Sequence, residues 1–261
     1  MPPIPRRSGR APGFHRASRS AASWGSRLIC VERPRVFDGL SVDDCAETVS
    51  WAQDKLFWPK EMICGQNNDE RIISLLVRGR VKTVRLSPFG DQVILRIEQP
   101  GDLVGELVPP SEAHSRLKVQ ALELCQLLAW EVRTFDALCE RFPTLGQNSL
   151  QILDERLRLI EERFLELATE NAESRLARTL IRLLDHNRSP AVEFMNVSFS
   201  NRELAQMSGM SEFTVNRLLS SWQEYKIIQR QRKRVCVLSL AGLMGLADTK
   251  HHVIQGCATY K

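Results

Sequence analysis

The segment 200–238 constrains the fold more than any other part of the chain. Ser200-Asn201-Arg202-Glu203 has the S-x-x-E spacing of a capping box. In such a box the hydroxyl and the carboxylate reciprocally satisfy N–H groups at a helix start, so a helix is predicted there, burying Leu204, Ala205 and Met207. Gly209 follows, able to supply the positive φ of a tight turn. Ser211 then caps a second predicted helix, Glu212–Glu224, with an apolar face of Val215, Leu218, Leu219 and Trp222. A helix, a glycine turn and a capped helix in this short compass form a helix-turn-helix pattern. Ile227-Ile228 and Val235–Leu238 next flank Gln229-Arg230-Gln231-Arg232-Lys233-Arg234, two short strands with a basic tip, as in a wing.

This arrangement suits double-stranded DNA. A capped helix start turns free N–H groups and a positive dipole end toward phosphates. Ser200, Asn201, Arg202, Ser211 and Thr214 are candidate contacts at the two helix starts. Glu212, Asn216 and Arg217 point to base-edge readout, with Arg bridging guanine and Glu accepting from cytosine, and Phe213 can press on a thymine methyl. Arg230, Arg232, Lys233 and Arg234 fit sequence-independent phosphate contacts. The competing reading is a small helical subdomain with a solvated basic loop.

Charge sharpens the choice. The 261 residues carry a formal +5. Residues 1–35 hold eight Arg and one Glu, residues 36–195 hold 19 basic and 26 acidic side chains, and residues 196–240 hold seven basic and three acidic. The body is acidic, and the positive charge sits in an N-terminal tail and on the helix-turn-helix. The tail, rich in Arg, Ser, Pro and Ala, lacks a secretory apolar core and is expected to be disordered, although its composition overlaps with organellar transit peptides. No run of 18 apolar residues is present, so no membrane-spanning helix is expected.

The seven cysteines (Cys30, Cys45, Cys64, Cys125, Cys139, Cys236 and Cys257) are widely spaced without a C-x-x-C, which fits neither a disulfide framework nor a zinc ribbon nor an iron–sulfur cluster. Cys125 and Cys139 read as core, while Cys30 or Cys64 could be a redox-sensing thiol. His251, His252 and Cys257 read as a solvated tail, and Asn196-Val197-Ser198 is a formal glycosylation acceptor without meaning in a cytoplasmic protein.

Upstream, Arg71–Val77, Arg80–Leu86 and Gln92–Ile97 read as strands, the last two joined across Ser87-Pro88-Phe89-Gly90 as a hairpin. Leu117–Trp130 holds two more, which makes 30–130 an antiparallel β domain, followed by a helical stretch, Glu131–Arg141, stopped by Pro143. Leu150, Leu153, Leu157, Ile160, Phe164 and Leu167 then recur at spacings of three and four between charged residues. This narrow seam predicts a dimer-forming helix; a surface helix over its own core is the alternative. Glu173–Asp185 is a second amphipathic helix.

With these elements in order, the chain resembles the CRP/FNR family of bacterial transcription regulators over residues 36–247. The resemblance rests on Val77–Lys82, Leu86–Gly90, Pro100–Leu107, Ser200–Glu203 and Ser211–Arg217. It implies an α+β architecture: an N-terminal antiparallel, jelly-roll-like β-roll sensor at 36–142, a dimerisation helix at 143–170 and a winged helix-turn-helix at 171–247. Residues 1–35 and 248–261 are expected as tails. The family implies a cytoplasmic homodimer on a pseudo-palindromic operator, with RNA polymerase as a further partner. Catabolite activator protein, one of its members, is a standard example of the docking mode.

Two departures stand out. The family's recognition helix presents a base-reading Glu two residues after the cap, where this chain has Phe213, with Glu212 one place earlier; Arg217 matches the family's Arg. Members that bind cyclic AMP follow Gly-Glu-Leu with an Arg-Ser or Arg-Thr clamp. Here Gly105-Glu106-Leu107 is present but the clamp reads Ser115-Arg116-Leu117, displaced by one, which on a strand reverses the face. Cyclic nucleotide is therefore disfavoured, His114 is a poor haem ligand candidate, and the effector is unknown. A cysteine-dependent redox regulator and a non-DNA interaction module are the other functional readings. No phosphate loop, metal-ligand spacing or nucleophile elbow points to an enzyme.

Overall fold

The computed structural model describes residues 34–64, 72–105, 117–186, 195–231 and 234–248. Apart from Pro34 and Arg35, the N-terminal basic tail lies outside them, as do Cys30, Glu106, Leu107, His114, Arg116, Arg232, Lys233, His251, His252 and Cys257.

The described strands of the first half form two four-stranded antiparallel sheets. One has the order β1 (Gln53–Phe57), β8 (Cys125–Glu131), β3 (Ile72–Arg78), β6 (Leu103–Val104); the other runs β2 (Met62–Cys64), β7 (Leu117–Ala121), β4 (Val81–Leu86), β5 (Gln92–Glu98). The Ser87–Gly90 hairpin forms as expected: Val81 faces Glu98 and Leu86 faces Gln92, with a register shift between Thr83 and Val84. Gly90 takes φ +90° in that turn. Between the sheets, Leu76, Val81, Val119, Cys125 and Leu127 are buried together.

A helix inside the β half was not foreseen: α1 (Val42–Ser50), where Ser41 Oγ accepts from Asp44 N at 3.1 Å and Asp43 and Asp44 complement the dipole. It is tied down by Trp130, whose Nε1 donates to the Thr48 carbonyl at 2.9 Å. Pro143 separates two helices, as the sequence indicates. Helix α2 (Val132–Arg141) ends before it, but Pro143 opens the next helix, α3 (Pro143–Thr169), because a first-turn proline surrenders no intrahelical bond.

Beyond α3 lie α4 (Ala172–His186), β9 (Met195–Val197), α5 (Asn201–Ser208), α6 (Glu212–Glu224), β10 (Ile228–Gln231), β11 (Arg234–Val237) and α7 (Leu240–Ala247). The core of this half holds Leu176, Leu180, Leu204, Val215, Leu219, Trp222 and Leu243. Val84 and Ile94 of the roll belong to the same cluster, so the outer face of the β4–β5 hairpin packs directly on the helical domain.

Candidate nucleic-acid interface

The capping box closes as its spacing requires. Ser200 Oγ accepts from Glu203 N at 3.2 Å, and Ser200 N donates to Glu203 Oε2 at 3.1 Å. Burial works to raise the Glu203 carboxyl, but the bonds from Ser200 and from Lys82 outweigh it and hold the group below the usual carboxylate range. Helix α5 buries Leu204, Ala205 and Met207 and ends at Gly209, which is left-handed at φ +64°.

Ser211 then caps α6, its Oγ accepting from Thr214 N at 3.1 Å and lying 2.8 Å from the Thr214 hydroxyl. Val215, Leu218, Leu219 and Trp222 are buried, and Trp222 Nε1 donates to Glu173 of α4 at 2.9 Å. Arg175 of α4 braces the turn from below, donating to the carbonyls of Ser208 at 3.2 Å and Glu170 at 2.7 Å. With the inner face fixed this way, Ser211, Glu212, Phe213, Asn216 and Arg217 all face solvent, Phe213 at 77% exposure. Arg202 is exposed beside them, while Asn201, Thr214 and Ser200 are half-buried.

The wing also forms, with β10 and β11 paired from Ile228↔Val237 to Gln231↔Arg234. A third strand, β9, pairs with β11 and places Asn196 opposite Cys236. Arg234 is exposed at the tip. Arg230 behaves differently from its neighbours: its guanidinium donates to Asn216 Oδ1 at 2.7 Å and Ser220 Oγ at 2.8 Å, and its backbone N donates to Gln223 Oε1 at 3.0 Å. Asn201 Nδ2 reaches the same Asn216 oxygen at 3.3 Å. Asn216, read from the sequence as a base reader, thus has its amide oxygen engaged by the wing root, and Arg230 is a strut between the wing and α6. Sequence offers no sign of this pairing, because fourteen positions separate partners that only the tertiary fold brings together.

The other candidate sites are less complete. Gly105 takes φ +101°, and a Cβ there would lie 3.1 Å from the Ile72 carbonyl, so a glycine is required next to Glu106 and Leu107. On α3, Leu150, Leu157, Ile160, Phe164 and Leu167 are exposed and Leu153 is half-buried. Leu167 also lies against the turn, since a Cβ on Gly209 would come within 2.6 Å of its Cδ2. Cys125 is buried, and burial pushes its thiol up; burial and the nearby Asp136 push Cys139 to about 11, the opposite of a reactive thiolate. Among the described residues no group of His, Cys, Asp or Glu could hold a metal ion, and no helix is long and apolar enough to cross a membrane.

Comparison with known proteins gives the same two halves. The cyclic nucleotide-binding domain family matches residues 55–142, and the Crp-like helix-turn-helix domain family matches residues 174–246. The chain is 27% identical to the cyclic AMP receptor protein of Thermus thermophilus, over 74% of this chain and 88% of that protein. It is 28% identical to the fumarate and nitrate reduction regulatory protein of Vibrio cholerae, over 65% of this chain and 68% of that protein. Among solved structures, FixK2 of Bradyrhizobium japonicum shares the fold with a TM-score of 0.65 at 21% identity, covering 75% of this chain and 96% of that one.

Proposed function

The chain belongs to the CRP/FNR family of DNA-binding transcription regulators, and from that premise we propose that it works as a homodimer reading a pseudo-palindromic operator through α6. The observation that carries the reading is the solvent-facing row on a helix anchored everywhere else: Glu212, Phe213 and Arg217 stand free above a face buried through Val215, Leu219 and Trp222. In this reading Arg217 meets guanine, Phe213 packs on a thymine methyl, and Glu212 accepts from cytosine. Ser200, Asn201, Arg202, Ser211 and Thr214 meet phosphates beside them, joined by Arg232, Lys233 and Arg234 of the wing. Asn216 and Arg230 set the angle between wing and helix.

The exposed stripe on α3, with Phe164 at 72% and Leu157 at 56% exposure, supports dimerisation by pairing of two α3 helices. Such a dimer sets two recognition helices about 34 Å apart, one helical turn of DNA. DNA binding rather than catalysis is the activity of this family, and its place of work is the cytoplasm, where RNA polymerase is the second macromolecular partner. Selection of bound sequences from a random DNA pool tests the reading. A two-fold symmetric consensus is expected, with half-sites that depart from the family's usual one opposite Phe213; no enrichment at moderate salt sinks it.

A further inference from the structure

Arg230 of β10 fastens the wing to α6 in a way that also bears on Asn216. On α6, Asn216, Ser220 and Gln223 follow one another at spacings of four and three, which puts them on one face of the helix. Arg230 lies along that face. Its Nη1 donates to Ser220 Oγ at 2.8 Å, its Nη2 to Asn216 Oδ1 at 2.7 Å, and its backbone N to Gln223 Oε1 at 3.0 Å. A guanidinium is a rigid fork of donors with no acceptor, so the Asn216 atom turned toward it has to be the carbonyl oxygen. Asn201 Nδ2 donates to the same oxygen at 3.3 Å, which fills its second lone pair. Among the described residues nothing accepts from Asn216 Nδ2. Asn216 itself is exposed, three positions after Phe213 and beside Arg217, in the row assigned above to the major groove.

We propose that Arg230 is a positioning residue that determines specificity: by holding the Asn216 oxygen it leaves only N–H donors for DNA, so that Asn216 selects guanine or thymine and rejects adenine. The inference rests on the regulator reading above, with α6 in the major groove. An asparagine with both ends available pairs best with adenine, accepting from the N6 amino group and donating to N7. That pairing needs the oxygen that Arg230 and Asn201 occupy. Guanine presents two acceptors, O6 and N7, and thymine presents O4, so both suit an amide that only donates. On adenine the N6 amino group would meet the Asn216 N–H groups, donor against donor. Turning the amide over would aim Nδ2 at the guanidinium and forfeit a charge-assisted bond, a bias of roughly tenfold or more between the two orientations. Arg230 thus acts on base choice through Asn216 without touching a base.

Selection from a random DNA pool by the full chain and its variants tests the point. Asn216→Ala identifies the operator position concerned, as the one that loses its preference. At that position the wild type is expected to select guanine or thymine. Arg230→Leu removes the charged donor and should turn the preference toward adenine by roughly tenfold, the neutral Asn201 donor at 3.3 Å being readily displaced. Arg230→Lys restores a charged donor and should return guanine or thymine. Ser220→Ala breaks the other bond of the same guanidinium and should leave the preference as it is; a merely structural strut would instead make Ser220→Ala and Arg230→Leu alike, both weaker on every sequence with one shared consensus. Should Arg230→Leu fail to fold, Asn216→Asp keeps the pairing with Arg230, exchanges the donors for an acceptor and is expected to select cytosine through N4. Adenine at that position in the wild type, no position sensitive to Asn216→Ala, or a preference unchanged in Arg230→Leu or Asn216→Asp overturns the proposal and leaves the operator reading standing. A wild type that enriches no sequence removes both.

Discussion

Lys82 Nζ, on β4 of the roll, donates at 3.0 Å to Oε1 of Glu203, the carboxylate that also closes the capping box of the first helix in the helix-turn-helix. Both side chains are largely shielded, at 12% and 23% exposure, and Val84 and Ile94 extend the contact into the core beneath. A double-mutant cycle with Lys82→Met and Glu203→Gln is expected to give a coupling of about 1–2 kcal/mol in urea denaturation. The pH dependence has a definite sign. The Glu203 carboxyl lies below its ordinary value in the fold, so its contribution is present above pH 4.5 and is lost as pH falls through the folded value. Lys82→Met should flatten that acid limb.

Glu98 behaves in the opposite sense. It is buried on β5, and burial raises its carboxyl above 4.5 despite Arg96, the Thr83 hydroxyl at 2.6 Å and Arg156, which all pull it down. A raised folded value means the native state holds the proton longer than the unfolded chain. Stability from this group is therefore complete below pH 4.5 and declines as pH rises through the folded value. Glu98→Gln, which keeps an acceptor for Thr83, should remove that decline, so that wild type and variant converge toward acid pH and separate in the variant's favour above it. Unfolding midpoints measured across that range give the answer; parallel curves would contradict the assignment.

The recognition helix makes separable predictions. Arg217→Ala should lower affinity for a selected operator by roughly 1–3 kcal/mol while changing random-sequence binding little, whereas Arg234→Ala should weaken both alike and reduce the salt slope by about one. Phe213→Glu should move the selected half-site toward the ordinary family sequence. Fluorescence anisotropy at two salt concentrations distinguishes these outcomes.

Local rules made the helix-turn-helix legible. Ser200, Glu203, Gly209 and Ser211 each act on backbone groups within three or four positions, so spacing alone located α5, its turn and α6. The β4–β5 hairpin was readable for the same reason, from Pro88 and Gly90 between two strand-like runs. Pairings across long separations were not. Lys82 gives no sign of its partner 121 positions away, and β9 is a three-residue strand defined only by β11 beside it. Arg156 and Arg163 are equally silent in sequence, since each lies among ordinary surface-like charges until α3 packs on the roll and they reach the Leu103 and Leu95 carbonyls.

The α3 stripe predicts the assembly state. Phe164→Lys puts a charge on the exposed apolar row at a side chain that is 72% exposed, so the monomer should remain folded. Sedimentation velocity is expected to show a dimer for wild type and a monomer for the variant. Losing the second half-site contact removes an avidity gain of about 10²–10⁴, so operator binding should fall at least a hundredfold. A variant that stays dimeric would place the interface elsewhere.

Gly209 and Leu167 link the end of α3 to the turn before α6. An alanine at 209 meets two separate costs: the left-handed backbone at φ +64°, about 1 kcal/mol or more for a residue with a Cβ, and a methyl 2.6 Å from Leu167 Cδ2. The second cost is soft, because Leu167 is half-exposed and can swing aside, but swinging aside uncouples the end of α3 from the turn. Leu167→Ala leaves the first cost in place and removes the second. Gly209→Ala is thus expected to destabilise by about 1–2 kcal/mol, and less so when Leu167→Ala is already present. Gly209→Asn, with a side chain that tolerates the left-handed region, should recover part of the backbone cost but none of the steric one. Urea denaturation of the four combinations of Gly209→Ala and Leu167→Ala tests the point: strict additivity would show that the helix end and the turn do not touch in solution.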